Sequence, residues 1–358
     1  MPLLPIYGHT ALQAQLRGAL DRNALPGSLL LHGPRGIGKQ QVAVWLARLL
    51  LCGNADRSVA PCGACKACRM ASELHHPDLH WFFPRPRLKD SDADAADIRQ
   101  DIAEGIATRL ESGGVYEAAS GDEAIFVATV RAIVQTGSLA PAMGSRKVFV
   151  IGDAERMVAQ EGADQAANAF LKMLEEPPAN TNIILTSSEP GALLPTIKSR
   201  VASVRIAPLS DTEVRAFLDC ATVKDHLDIP KARIDEFVSL AGGAPGRLIG
   251  RESWEAALAQ ARTLIDAASS PDRGARMRAA LGQGAAGARG KFSDTLDALT
   301  VLLYERSRHA AKSEDNARAF GAAKAMDAVE EAKELAGSNV NPQLLTASLL
   351  KQLAPLLR

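Results

Sequence analysis

The chain has 358 residues, 41 Lys+Arg against 41 Asp+Glu, and 47% hydrophobic residues. That length accommodates about two or three domains with real cores; zero net charge excludes a uniformly basic nucleic-acid coat, and 4% aromatics argues against a base-stacking platform. No apolar run reaches the ~18–20 residues that span a bilayer, and Met1–Tyr7 lacks a basic-then-apolar signal, so a soluble, cytoplasmic protein with no membrane partner is expected.

Leu12, Leu16 and Leu20 recur at helical spacing over residues 9–23. Gly27–His32 reads as a short buried strand, Gly33–Gly38 as a glycine-rich turn and Gln40–Leu51 as a helix. Further short apolar strands are expected at Leu79–Phe83, Val148–Ile151, Asn182–Ser187 and Ser203–Ile206, as in a parallel sheet covered by helices on both faces. The expectation is an open α/β sheet over about residues 1–207. From Ser210 the strand signals stop. Asp211–Leu218 and Pro230–Leu240 read as helices, the second ending at Gly242-Gly243, and residues 208–252 as a small helical lid. Residues 253–358 read as helical, with breaks near Ser270-Pro271 and Gly282–Gly290; Asn341 fits an N-cap and Pro342 a first helical position.

Residues 88–124 interrupt this order with ten acidic and three basic side chains. Asp90, Asp92 and Asp94 begin a calcium-loop spacing, but Ala95 stands where a glycine is needed and Asp101 where a glutamate is needed. The segment reads instead as a solvated acidic insert.

Two clusters carry chemistry. The first, Gly33-Pro-Arg-Gly36-Ile-Gly38-Lys39, fits seven positions of a phosphate-binding loop and lies between a strand and a helix. Its glycines free backbone N–H groups for phosphate oxygens, and Lys39 reaches the terminal phosphates. The alternative is a tight strand–helix turn without a ligand. The eighth position is Gln40, not the Ser or Thr whose hydroxyl holds Mg²⁺. The strand Val148–Ile151 should end in an Asp-Glu pair for metal and water, yet Gly152-Asp153 follows, with Asp153 at one acidic position. Both defects argue against hydrolysis, leaving ATP as a weakly supported ligand. The second cluster is Cys52 with Cys62, Cys65 and Cys68. Four thiolates close a tetrahedral structural Zn²⁺ shell with no open position; an iron–sulfur cluster is the rival, buried free cysteines the plain alternative. Cys220 stands alone and reads as core.

These clusters, followed by Asn168-Ala-Phe-Leu-Lys-Met-Leu-Glu-Glu-Pro-Pro178 and Ser199-Arg200, resemble in order the bacterial clamp-loader AAA+ subunits of DNA polymerase III. The resemblance covers essentially the whole chain except 88–124. It implies a RecA-like AAA+ parallel-sheet domain (1–207) with a zinc module at about 52–68, a helical lid (208–252) and an all-α C-terminal collar domain (253–358). It further implies a ring with gamma/tau and delta subunits that loads the sliding clamp onto primed DNA. With the damaged motifs, the chain resembles the family's largely non-hydrolysing members; the alternative is an active gamma/tau-type ATPase. Ser187 then matches a polar γ-phosphate sensor or is an ordinary strand-end hydroxyl. Arg200 matches an arginine finger acting on a neighbour's nucleotide, or is a surface ion pair; the family motif continues with cysteine where Val201 stands. Arg247, in Gly242–Arg247, matches a lid arginine that senses nucleotide or packs the lid on the sheet. Independently, Ala167, Phe170, Leu171 and Leu174 mark one face of a helix ended by Pro177-Pro178.

Overall fold

The computed structural model describes residues 3–54, 56–88, 94–117, 119, 123–157, 164–230, 233–249, 251–283, 289–336 and 340–357. Among them, five short runs pair as parallel strands: β1 (Ser28–His32), β2 (Leu79–Phe82), β3 (Lys147–Ile151), β4 (Thr181–Ser187) and β5 (Ala202–Arg205). Their order across the sheet is β2-β3-β4-β1-β5, and the unit they build is the expected RecA-like AAA+ domain.

Alternation along the strands builds two cores. Leu29, Leu31, Val148, Val150 and Ile184 face one side, where they meet Val42, Leu46 and Leu49 of the Lys39–Leu51 helix. Leu30, Phe149, Ile151, Ile183 and Leu185 face the other, against Ile133 of the Val127–Gly137 helix and Phe170 and Leu174 of the Asp164–Glu175 helix. Leu171 packs at the margin of that second core, whereas the Ala167 side chain lies outside the described residues.

The acidic insert contains an element that the sequence reading treated as solvated. Ala95–Glu111 is a helix opened by a capping box, in which Asp94 and Asp97 accept from each other's backbone N–H. Ile98 and Ile102 bury on the sheet, and Arg85 grips Asp101 through Nε and Nη2 at 2.7–3.2 Å. Asp94 and Asp101 are therefore committed to a cap and an ion pair; Asp90 and Asp92 lie outside the described residues.

Asp211–Leu218, Ala221–Leu227 and Ile234–Ala241 are short helices around Val214, Leu218, Val223 and Phe237, with Cys220 packed at the margin. Gly242 adopts φ 53° and ends the last of them. By compactness the chain divides into two units, Met1–Ser188 with Leu193–Ile249 and Glu189–Ala192 with Gly250–Arg358. The second is helical: Arg251–Ser269, Arg273–Leu281, Arg289–Lys312, Asn316–Ala336 and Pro342–Leu353. Asn341 caps the last helix by accepting from Gln343 N–H at 2.8 Å, with Pro342 first in the helix. Of the break expected at Gly282–Gly290, residues 284–288 lie outside the described set. Among the described residues no helix is long and apolar enough to cross a membrane.

Candidate functional site

β1 ends at His32, in register with Ser187 of β4, and the chain turns through Gly33–Gly38 into the Lys39–Leu51 helix. Because β1 and β2 are consecutive but not adjacent, the carboxyl ends of the central strands meet at a topological switch point, where open α/β sheets place ligands. Gly36 has φ 80°, and a Cβ there would lie 2.6 Å from Arg247 N. Its carbonyl accepts from Gly246 N–H at 2.8 Å. The loop and the Pro245–Leu248 turn thus meet backbone to backbone, with Arg247 buried beside them.

Lys39 is buried and donates to Gly33 O at 3.1 Å, Pro34 O at 2.9 Å and Ser188 Oγ at 2.8 Å. Ser187, singled out in the sequence, is fully buried at the end of β4, and its carbonyl accepts from Gly33 N–H at 3.3 Å. The hydroxyl that accepts from Lys39 at 2.8 Å belongs to Ser188, the residue just past the strand.

Gln40 is buried with both its amide nitrogen and its amide oxygen hydrogen-bonded. Its Nε2 donates to Asp153 Oδ2 at 3.0 Å, and its Oε1 accepts from Trp81 Nε1 at 3.0 Å and Arg109 Nη1 at 3.1 Å. A Cβ on Gly152 would come within 2.5 Å of the Gln40 amide carbon. The two departures from the hydrolytic motifs are therefore one packing event, since the longer side chain at 40 occupies the space that a side chain at 152 would need. Mg²⁺ demands near-octahedral oxygen ligands at about 2.0–2.1 Å. Here the only side-chain oxygen at position 40 is shared by two N–H donors. The residues present do not fit a magnesium ion.

Arg109, which sequence reasoning passed over, comes from the insert helix. Its guanidinium lies 3.4, 3.8 and 4.7 Å from the ring centroids of Phe83, Tyr116 and Trp81. Burial pulls this guanidinium below its ordinary value, and the Tyr116 charge opposes that. Burial pushes the Tyr116 phenol up to about 12. The available signal was the spacing Ile98, Ile102, Ile106, a helical stripe that runs toward Arg109.

Glu155 follows in the Ala154–Arg156 turn after β3. The residue is half-buried, but its Oε2 is sealed from solvent without a hydrogen-bond partner, while Oε1 accepts from Ser188 N–H at 2.8 Å. Burial, then the nearby Asp153 charge, pushes its carboxyl up to about 7. A carboxyl raised in the folded state favours the fold while protonated; that contribution is whole below its ordinary 4.5 and is lost as pH rises through about 7. Glu155→Gln is expected to stabilise the chain by up to about 3 kcal/mol at pH 8 and by little below pH ~4.5. Urea unfolding at both pH values checks this, and equal stability of the two proteins at pH 8 refutes it.

The four cysteines converge. Sγ atoms of Cys52, Cys62, Cys65 and Cys68 all lie within 4.8 Å of one another, with Cys62 and Cys68 4.0 Å apart. Cys52 terminates the Lys39–Leu51 helix, and Cys65 caps the Lys66–Ser72 helix by accepting from Cys68 N–H. The Cys65 and Ala64 N–H groups hold the Cys62 thiol down at about 6. Zn–S bonds of about 2.3 Å require sulfurs roughly 3.8 Å apart, so the set fits a single four-thiolate ion. A multi-iron cluster needs its thiolates spread around several metals.

Arg200 lies in the turn after Pro195–Lys198. Its Nε donates to Glu175 Oε2 at 3.0 Å and its Nη1 to Thr196 O at 3.0 Å, leaving the side chain 30% exposed.

A family model described as "DNA polymerase III, delta subunit" matches residues 8–210. Over 235 residues the chain is 32% identical to DNA polymerase III subunit delta' of Pseudomonas aeruginosa, covering 66% of this chain and 57% of the relative. Against subunit delta' of Bacillus subtilis it is 26% identical over 214 residues (59% and 51%). Against subunit gamma/tau of Mycobacterium tuberculosis it is 28% identical over 240 residues (67% and 34%). The chain thus spans about half the length of the two delta' relatives, 57% and 51%. Since the matched span takes in the whole sheet together with both clusters, the chain belongs to the DNA polymerase III delta subunit family, as a delta-prime-like clamp-loader subunit.

Proposed function

We propose that this chain is a largely non-hydrolysing, cytoplasmic AAA+ scaffold that completes the clamp-loader ring of DNA polymerase III. In this reading gamma/tau and delta subunits are its neighbours, and the assembled ring places the sliding clamp on primed DNA. Residues 208–252 serve as the lid and 253–358 as the collar. Arg200 acts in trans on a neighbour's nucleotide. Cys52, Cys62, Cys65 and Cys68 hold a structural zinc, which when bound would staple the 52–68 module to the sheet domain and offer no catalytic position. Gly33, Gly36, Gly38, Lys39, Asp153, Ser187 and Arg247 are the inherited frame of a nucleotide site.

The observation that carries the non-hydrolysing part is the mutual packing of Gln40 and Gly152. A hydrolytic site needs a hydroxyl on Mg²⁺ at the first position and an acid at the second. Purified chain with saturating Mg·ATP is expected to release no phosphate above background. Sustained release that Lys39→Ala abolishes would overturn the scaffold reading in favour of a gamma/tau-type ATPase. Nucleotide bound without turnover is compatible with the proposal.

A further inference from the structure

We propose that Arg109 is a built-in cation standing in the place that a divalent metal takes beside a phosphate loop, with Gln40 relaying its charge to Asp153, so that nucleotide meeting this loop does so without a requirement for Mg²⁺. The inference concerns the chain alone and does not depend on its assembly into a ring.

Three observations converge on it. The first is the polarity of the Gln40 amide. Its oxygen faces two donors, Trp81 Nε1 and Arg109 Nη1, and its nitrogen faces the Asp153 carboxylate. Reversing the amide would set NH₂ against both donors and oxygen against the carboxylate, so the network admits one orientation. Charge runs through it in order: guanidinium, amide oxygen, amide nitrogen, carboxylate.

The second is the setting of the guanidinium. Arg109 is only 7% exposed and lies over three aromatic rings. A buried cation is costly unless compensated. Ring faces compensate part of it, and the rest comes from Gln40 Oε1 with Asp153 one amide beyond. If filling space were the only role, an apolar side chain would do it without that cost.

The third is Gly152. With no side chain there, nothing competes with Gln40 for the position, and Arg109 reaches in from a segment outside the loop–strand motif altogether. A dication at the same place would meet a fixed positive charge and an amide oxygen already shared between two donors.

The test uses the full chain and ATP, with magnesium omitted rather than chelated, so that any thiolate-bound zinc stays in place. ATP is expected to raise the unfolding temperature of the wild-type protein, and by the same amount with and without MgCl₂. A shift that appears only with Mg²⁺, or no shift in either condition, overturns the proposal. The variant Gln40→Thr/Gly152→Asp/Arg109→Leu is expected to gain ATP binding that Mg²⁺ strengthens at least about tenfold; a folded triple variant still indifferent to Mg²⁺ counts against it. Should the triple variant not fold, the cycle of Gln40→Ala, Arg109→Met and their combination decides. Coupling equivalent to roughly tenfold in the unfolding constant is expected, and additive effects would reduce Arg109 to a packing residue.

Discussion

Replacing Arg200 by alanine is expected to leave this chain folded and the clamp-loader ring assembled, while clamp loading by the ring falls steeply. Folding should be spared because Arg200 makes a partly exposed ion pair with Glu175 at 3.0 Å, and such pairs contribute about 0–1 kcal/mol. The same weakness makes the guanidinium available, since leaving Glu175 for a phosphate on an adjoining subunit forfeits little. Fingers of this kind contribute on the order of 10³–10⁵ in rate at a single site. Only one of several sites in the ring would depend on this residue, so total ATP turnover should fall less than clamp loading. Glu175→Gln provides the control, because it frees the arginine without removing it and should keep the ring active. A ring carrying Arg200→Ala that assembles and matches wild type in both turnover and loading would make Arg200 a surface arginine and nothing more.

The second large effect is expected from the cysteine module. Metal analysis should return one zinc per chain, and Cys68→Ser should abolish it and release residues 52–72 from the sheet domain. Cys68 is the buried member of the set, 1% exposed. The Lys66–Ser72 helix that carries it has only seven residues, too few to stand alone in water. Cross-linking to Cys52 is what would hold this short helix to the sheet. Structural zinc in isolated finger peptides contributes roughly 10–16 kcal/mol. Here Ala60 and Ala71 also pack into the main core, so the module should loosen while the sheet stays folded. Hydrogen exchange confined to 52–72 is the expected signature. Iron in place of zinc, or full protection in a metal-free protein, would contradict the assignment.

How much of this was legible in the sequence depended on whether the signal was local. The central strands were, because a strand covered on both faces is a continuous apolar run, as in Ser28–His32 and Lys147–Ile151. Asn341-Pro342 announced a helix start through side-chain chemistry within three residues. The cysteine spacing pointed to one cluster, and the four sulfurs meet. Arg109 was legible only in part, through the isoleucine stripe that runs toward it. An arginine on an acidic helix reads as solvent-facing, and what buries this one are Trp81 and Phe83, from β2 and the residue after it, and Tyr116, just beyond the helix. Ser188 was missed for a smaller reason, since a strand-end serine pair does not reveal which member turns toward the lysine. Gln40 looked like a lost ligand, and its gain as an adaptor shows only when Gly152 and Asp153 stand beside it.

The contact between Gly36 and Gly246 has a different kind of consequence. A hinge built from side chains can be retuned by trimming them, one methylene at a time. This one consists of two peptide groups and the room left by two hydrogens, where a Cβ on Gly246 would come within 2.8 Å of Gly36 Cα. It has no side chain to shorten, so variation at either residue can only add atoms and wedge the turn away from the loop. In such a joint the angle between the loop and the Pro245–Leu248 turn is a fixed property of the main chain, and evolution can keep it or lose it but has little means of adjusting it by degrees.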